Sequence, residues 1–144
     1  MTLGERLKEL VAEYRIKRVE DFCKNIGVGR TDFYRWWSDT TMPSLSKALK
    51  LADTFYCSLD YLVGRADSNN AVFFNDPPAF SGRIKAMMEE FHTNPHRISV
   101  QAGIARASVY EWMQDKAEIT LDSLIKLADL FGCTIDHIVG REAE

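Results

Sequence analysis

The stretch Phe22-Cys23-Lys24-Asn25-Ile26-Gly27-Val28-Gly29-Arg30 joins the end of one predicted helix to the start of the next. Apolar residues recur on one face of the segment 19–26, which is the spacing of a short amphipathic helix. Gly27 suits the left-handed or tight-turn geometry that ends a helix. A second helix is predicted three residues later, over Arg30–Trp37. The sequence therefore predicts two short helices joined by a glycine turn.

This arrangement occurs twice in the chain. Residues 22–65 and 98–141 align without a gap at an offset of 76. An internal repeat of this kind makes each copy one structural unit. We therefore predict a first domain over residues 1–66, a linker with an apolar centre over 67–79, and a second domain over 80–144. The residues shared by the two copies include Gly27/Gly103, Arg30/Arg106, Trp36/Trp112, Asp60/Asp136 and Val63-Gly64-Arg65/Val139-Gly140-Arg141.

Each copy is predicted to hold five short helices, and no stretch alternates with the period of two that is typical of a strand. The fold class is therefore all-α. Leu3, Leu7 and Leu10 lie on one face of the first helix, and the spacing repeats from Phe80 onwards at an offset of 77. Within each copy, Phe33 with Trp36 and Val109 with Trp112 are predicted to be core residues. Residues suited to helix N-caps are Thr2, Ser44, Ser58, Asn94, Thr120 and Thr134.

The charge is uneven, although the whole chain carries −3. Residues 1–66 hold 11 Lys or Arg against 9 Asp or Glu, which is +2. Residues 80–144 hold 7 against 10, which is −3. The first copy is thus the better candidate for an anionic partner.

Several classes of function find no support in the sequence. Three cysteines are too few and too scattered for a disulfide framework or a zinc site, and the three histidines show no ligand spacing. No apolar run approaches the ~20 residues that span a bilayer, and no signal peptide is apparent. No nucleophile–base set or phosphate-cradling loop indicates an enzyme. We expect a cytoplasmic, non-enzymatic protein without metal or cofactor.

Both copies resemble the lambda-repressor-like, or Cro/cI-type (XRE-like), helix-turn-helix domain. The resemblance covers nearly all of the chain except the linker, and it implies two tandem five-helix domains that bind double-stranded DNA. The matching motifs are Phe22–Arg30, Tyr34-Arg35-Trp36, Pro43-Ser44-Leu45 and Leu51–Gly64 in the first copy, and Ala102-Gly103-Ile104, Tyr110-Glu111-Trp112, Thr120-Leu121 and Leu127–Gly140 in the second.

The resemblance implies that the second helix of the motif enters the major groove, with its N-terminal half near base edges. Arg30 can donate two hydrogen bonds to a guanine, or it can remain a solvated arginine. Asp32 is expected to orient one of the nearby arginines. The start of the fourth helix can hold a phosphate through backbone amides, a hydroxyl and a charge. The DNA-contacting candidates of the first copy are Arg30, Thr31, Asp32, Arg35, Ser44 and Lys47.

The second copy departs from this pattern at the same helix. Glu111 stands where the first copy has Arg35, and its charge is wrong for a phosphate, although a glutamate can accept a hydrogen bond from cytosine. The candidates that remain there are Arg106, Ser108, Lys116 and Thr120.

Four apolar residues are alternatives for a protein interface. Trp37 and Met113 follow the core tryptophans where the family usually has glutamate, so they either form an interface or simply end a helix half-covered. Phe73 and Phe74 make the linker too apolar for a free tether, and we expect them to pack on one copy or between the two.

Two functions follow from these features. The first is a sequence-specific DNA-binding transcriptional regulator, with the two copies acting as an internal pseudo-dimer or the chain forming a homodimer. The alternative is a protein-interaction module in which one or both copies have lost DNA binding.

Overall fold

The computed structural model describes residues 1–69 and 73–142. The chain divides into two compact units, Met1–Ala71 and Val72–Glu144, and the division falls inside the stretch predicted as linker. The described residues form ten helices and no strand, so the all-α prediction is confirmed.

Each unit contains five helices in the same order. The first unit holds α1 (Leu3–Glu13), α2 (Val19–Ile26), α3 (Arg30–Trp37), α4 (Leu45–Thr54) and α5 (Leu59–Leu62). The second holds α6 (Phe80–Glu90), α7 (Pro95–Ala102), α8 (Arg106–Met113), α9 (Leu121–Phe131) and α10 (Ile135–Val139). Corresponding pairs of helices pack together in the two units, with α1 against α3 in one and α6 against α8 in the other. The repeat in sequence is therefore a repeat in packing.

The turn between the helices of the motif has the predicted geometry. Gly27 and Gly103 both lie in the left-handed region, with φ of 75° and 69°. A side chain there would strain the backbone, which is why glycine occupies both turns. The next helix then begins three residues later in each unit.

Four of the predicted N-caps make the expected hydrogen bond, and two do not. The side chains of Thr2, Ser58, Asn94 and Thr134 each accept from a backbone amide three residues on. Ser44 and Thr120 occupy the N-cap position, but neither side chain makes a capping bond. The Thr120 hydroxyl donates to the Asp122 carboxylate, a charge-assisted hydrogen bond.

The core of the first unit is aromatic where the motif helices cross. Phe33 is fully buried and lies edge-on to Phe22, with 5.8 Å between the ring centroids. Trp36 is buried beside it, 6.2 Å away between centroids. In the second unit Val109 and Trp112 occupy the equivalent buried positions. The interpretation of both tryptophans as core residues is therefore confirmed.

An arginine ties the first helix of each unit to the last, buried in the first unit and half-buried in the second, and the sequence patterns did not predict it. The Arg6 guanidinium donates to the carbonyls of Tyr61 (2.8 Å) and Ala66 (3.1 Å). Arg83, at the equivalent position, donates to the carbonyls of Ile138 (3.0 Å) and His137 (2.6 Å). Each arginine adds a side-chain donor to carbonyls in or just after the short final helix, two of which, those of Tyr61 and His137, also accept from a backbone amide three residues on.

Gly82 lies inside α6, and a Cβ built on it meets no atom within 4 Å. We expect Gly82→Ala to raise the free energy of unfolding by about 0.5–1 kcal/mol, because alanine loses less backbone entropy than glycine in a helix. The contrasting variant is Gly4→Ala in α1, where the new Cβ would lie 2.3 Å from the Trp37 carbonyl oxygen, so that variant should be destabilised. Urea denaturation followed by circular dichroism checks both signs. A loss of stability in Gly82→Ala would contradict the first expectation.

Candidate nucleic-acid interface

The buried residues of α3 determine which of its side chains face the solvent. Phe33 and Trp36 face the core, so the residues between and before them face outward. Arg30, Thr31 and Arg35 are exposed. The helix therefore presents two guanidinium groups and a hydroxyl on the surface that sequence reasoning assigned to DNA.

Arg30 is held loosely by a residue of the preceding helix. Its guanidinium lies 3.8 Å from the Glu20 carboxylate, and the two side chains are 64% and 55% exposed. An ion pair this exposed contributes little and is easily exchanged for another anion. Lys50 on α4 donates to the Gly27 carbonyl (3.2 Å) and so helps to hold the turn. The sequence analysis did not identify Glu20 or Lys50, because they lie on other helices and no helical periodicity relates them to the residues of α3.

Asp32 does not orient either arginine, and that expectation was wrong. Its carboxylate accepts a hydrogen bond from the Lys47 ammonium at 3.1 Å, which links α3 to α4. The long Lys47 side chain explains the difference, because it reaches Asp32 from a position 15 residues further along the chain. The pair neutralises the only carboxylate of α3 and places Lys47 beside the exposed face.

Two of the DNA-contacting candidates of the first unit, Arg35 and Thr31, have side chains that form no polar contact with another described residue. Within the residues that the structure describes, neither side chain has a hydrogen bond or an ion pair. Thr31 and Arg35 are four residues apart and so share one face of α3, whereas Arg30 lies one residue before Thr31, about 100° around the axis from it. Their donors are available to an incoming ligand.

The candidates of the second unit lie on α8 and in the segment that follows it, and their partners differ from those in the first unit. The Arg106 guanidinium lies 2.6 Å from Nδ1 of His96, and because arginine can only donate, the imidazole nitrogen accepts. Ser108 is half-buried and Lys116 is exposed in the following loop. Thr120 is engaged with Asp122. Arg106 and Ser108 thus lie on α8, Lys116 in the loop that follows it and Thr120 at the start of α9.

Glu111 brings a carboxylate to that same surface. It is exposed, and its side chain has no partner among residues 1–69 and 73–142. It is also the only acidic residue of α8. The field at α8 is therefore less favourable to a polyanion than the field at α3, where the one carboxylate is paired.

The four residues expected at a protein interface have different environments. Trp37 is half-buried within its own unit, with the Lys8 ammonium 5.6 Å from its ring centroid, and Met113 is also half-buried. Phe74 packs on the second unit, where the Arg141 guanidinium lies 3.8 Å from its ring centroid. Phe73 is 69% exposed. Of the two linker aromatics, Phe74 thus packs on one copy, while Phe73 has most of its ring in solvent.

The titratable groups with shifted pKa values lie away from this surface. Burial raises the pKa of the Cys23 thiol, which keeps it protonated and unreactive. Burial also raises the pKa values of Tyr14 and Tyr61. The Tyr14 hydroxyl donates to the Phe55 carbonyl at 2.8 Å. The described residues contain no cluster of three or more potential metal ligands, and none of their helices is long and apolar enough to cross a membrane.

Comparison with known proteins identifies the same repeat. The family model for the Cro/C1-type HTH DNA-binding domain matches twice, over residues 6–67 and 83–144. Among solved structures, the chain is similar to a transcriptional regulator from Listeria innocua, at 22% identity and a TM-score of 0.40. That match covers 51% of this chain and 64% of the regulator. The search of curated proteins finds no match.

Proposed function

Because this chain belongs to the Cro/C1-type helix-turn-helix DNA-binding domain family, in two copies, we propose that it is a sequence-specific transcriptional regulator whose first unit supplies most of the DNA affinity. The exposed face of α3 is the observation that carries this proposal. It presents Arg30, Thr31 and Arg35 together, with the nearby carboxylate of Asp32 already paired to Lys47.

The face fits the chemistry of a DNA groove. Guanidinium groups at the N-terminal half of a helix can donate to guanine edges, while cations and hydroxyls at the start of the next helix meet phosphates. Lys47 and Ser44 lie at that next helix, and the Ser44 side chain makes no capping bond. We propose that Ser44 and Lys47 contact phosphate, and that DNA releases Lys47 from Asp32.

The second unit contributes a weaker contact in this proposal. Its net charge is negative, and Glu111 places an uncompensated carboxylate on α8. Two such units in one chain would meet two successive major grooves about 34 Å apart. Fully extended, the 14 residues from Ala66 to Ala79 would span ~46–50 Å. Internal pairing would use less than this length, because Asn69 is bonded to the first unit and Phe74 and Asn75 to the second.

We expect Arg30→Ala to weaken binding to a selected DNA site by about 1–3 kcal/mol and Arg106→Ala to weaken it less. Arg30 is held only by an exposed pair at 3.8 Å, whereas Arg106 already donates to His96 at 2.6 Å and shares its helix with Glu111. Fluorescence anisotropy across a salt series measures both losses, and the slope with salt should fall for any variant that loses a phosphate contact.

Lys85→Ala is the matched control, since Lys85 is an exposed cation on α6 outside the motif. It should leave the affinity for the selected site nearly unchanged. Equal losses for Arg30→Ala and Arg106→Ala would remove the proposed asymmetry between the units.

Acidic charge and exposed apolar surface favour one alternative, a protein-interaction module. Glu111 and the largely exposed Phe73 are the specific features in its favour. A selection from random oligonucleotides, together with mass measurement by light scattering with and without DNA, separates the two functions. A failure to enrich any sequence, combined with a stable higher mass, would establish the interaction module.

A further inference from the structure

Two charged side chains on the exposed helices of the motif are unengaged, and they lie at the same position of the repeat. Arg35 on α3 and Glu111 on α8 are both exposed, and within the described part of the chain neither side chain has a hydrogen bond or ion pair. The charged groups that precede them are held: Arg30 by Glu20, Asp32 by Lys47 and Arg106 by His96.

The two helices are equivalent in geometry, so the two side chains project from equivalent points. Both helices are eight residues long and begin three residues after a glycine of nearly the same backbone conformation. Both bury their fourth and seventh residues, which fixes the rotation of each helix about its axis. Two units that bind DNA in the same way would therefore bring Arg35 and Glu111 to the same base-pair position of their respective half-sites.

Their hydrogen-bonding capacities are opposite. A guanidinium only donates, and it matches the two acceptors O6 and N7 of guanine in the major groove. A glutamate carboxylate only accepts, and it matches the N4 amino group of cytosine. Neither group can replace the other at one base.

We propose that Arg35 and Glu111 read opposite base pairs, so that the two half-sites carry guanine and cytosine respectively at the equivalent position of the equivalent strand. This inference rests on the proposed function as a DNA-binding regulator. Glu111 lowers the affinity of the second unit for the DNA phosphates, and it also makes that unit select one base over the others. The resulting site is not palindromic, and the chain binds it in one orientation.

The test is a random-oligonucleotide selection with the full chain, followed by selections with the variants Arg35→Glu, Glu111→Arg and Glu111→Gln. The unaltered chain should enrich guanine in one half-site and cytosine in the other. Glu111→Arg should change that cytosine to guanine, and Glu111→Gln should change it to adenine, which glutamine reads with two hydrogen bonds. Arg35→Glu should change the guanine to cytosine.

Anisotropy titrations give the size of each preference. Replacing the preferred base pair should weaken binding by about 5- to 150-fold for the unaltered chain, and the order should reverse for the matching variant. Glu89→Gln, which removes an exposed carboxylate on α6, is the matched control and should leave the selected sequence unchanged.

Two results of these experiments would contradict the inference. Variants that bind DNA with unchanged base preference would show that these side chains do not read base edges, which overturns the inference and leaves the proposed function standing. Failure of the unaltered chain to enrich any sequence would overturn both.

Discussion

Replacing Asp136 by alanine is expected to lower the free energy of unfolding of the second unit by about 3–5 kcal/mol, because it removes the carboxylate that pairs with the buried Arg141 guanidinium. Nη1 of Arg141 donates to the Asp136 carboxylate at 2.9 Å, and the two side chains are only 2% and 4% exposed. Phe74 lies over the other side of the guanidinium and helps to exclude water. Hydrogen exchange across a urea series, resolved by peptides of each unit, measures this loss.

The first unit provides the matched control. Asp60 pairs with Arg65 in the same way, but the Arg65 side chain is 25% exposed and can recover water when its partner is removed. Asp60→Ala should therefore cost less than Asp136→Ala. A second variant that combines Asp136→Ala with Arg141→Met should recover part of the loss, since it removes the buried charge as well. Equal losses at Asp60 and Asp136 would contradict the role of burial.

Replacing Phe33 by alanine is expected to destabilise the first unit by about 3–5 kcal/mol and to reduce specific DNA binding with it. Phe33 is fully buried, and its ring lies near those of Phe22 (5.8 Å), Trp36 (6.2 Å) and Trp37 (6.1 Å between centroids). Its loss leaves a cavity beneath the helix that carries Arg30. Urea denaturation of the first unit and anisotropy on the selected site should change together.

Val109→Ala is the corresponding change in the second unit. Val109 is fully buried at the equivalent position but is smaller, so we expect a loss of about 1.5–3 kcal/mol in that unit. DNA affinity should fall less than in Phe33→Ala if the first unit dominates binding. If Phe33→Ala unfolds the first unit while affinity is unchanged, the first unit is not the principal DNA contact.

The fold was predictable from the sequence because local signals and the repeat agree. The apolar spacing of α1, the left-handed glycine turns and most of the N-caps act within a few residues of each other. The same signals appear in both copies, so each supported the interpretation of the other. The two predicted capping bonds of Ser44 and Thr120 do not form, because a residue at the N-cap position need not turn its side-chain oxygen toward the backbone amide.

The exposed residues of the candidate surface were also predictable from the sequence, whereas the ion pairs and hydrogen bonds that they form were not. Burial of Phe33 and Trp36 fixes which side of α3 faces outward, and this follows from helical spacing alone. The pairs Glu20–Arg30, Asp32–Lys47 and His96–Arg106 each join residues of different helices. Their formation depends on how closely two helices approach, which no local spacing encodes.

The sequence by itself determined the repeat, the helices, the glycine turns and the inner face of each motif helix, because these depend on residues close together in the chain. Only the tertiary structure decided which charges are held and which are free to meet a ligand. It placed Lys47 beside Asp32 and left Arg35 and Glu111 unengaged at equivalent points. Packing sets these distances between distant residues, and hydrogen bonds form or fail within about an ångström of separation.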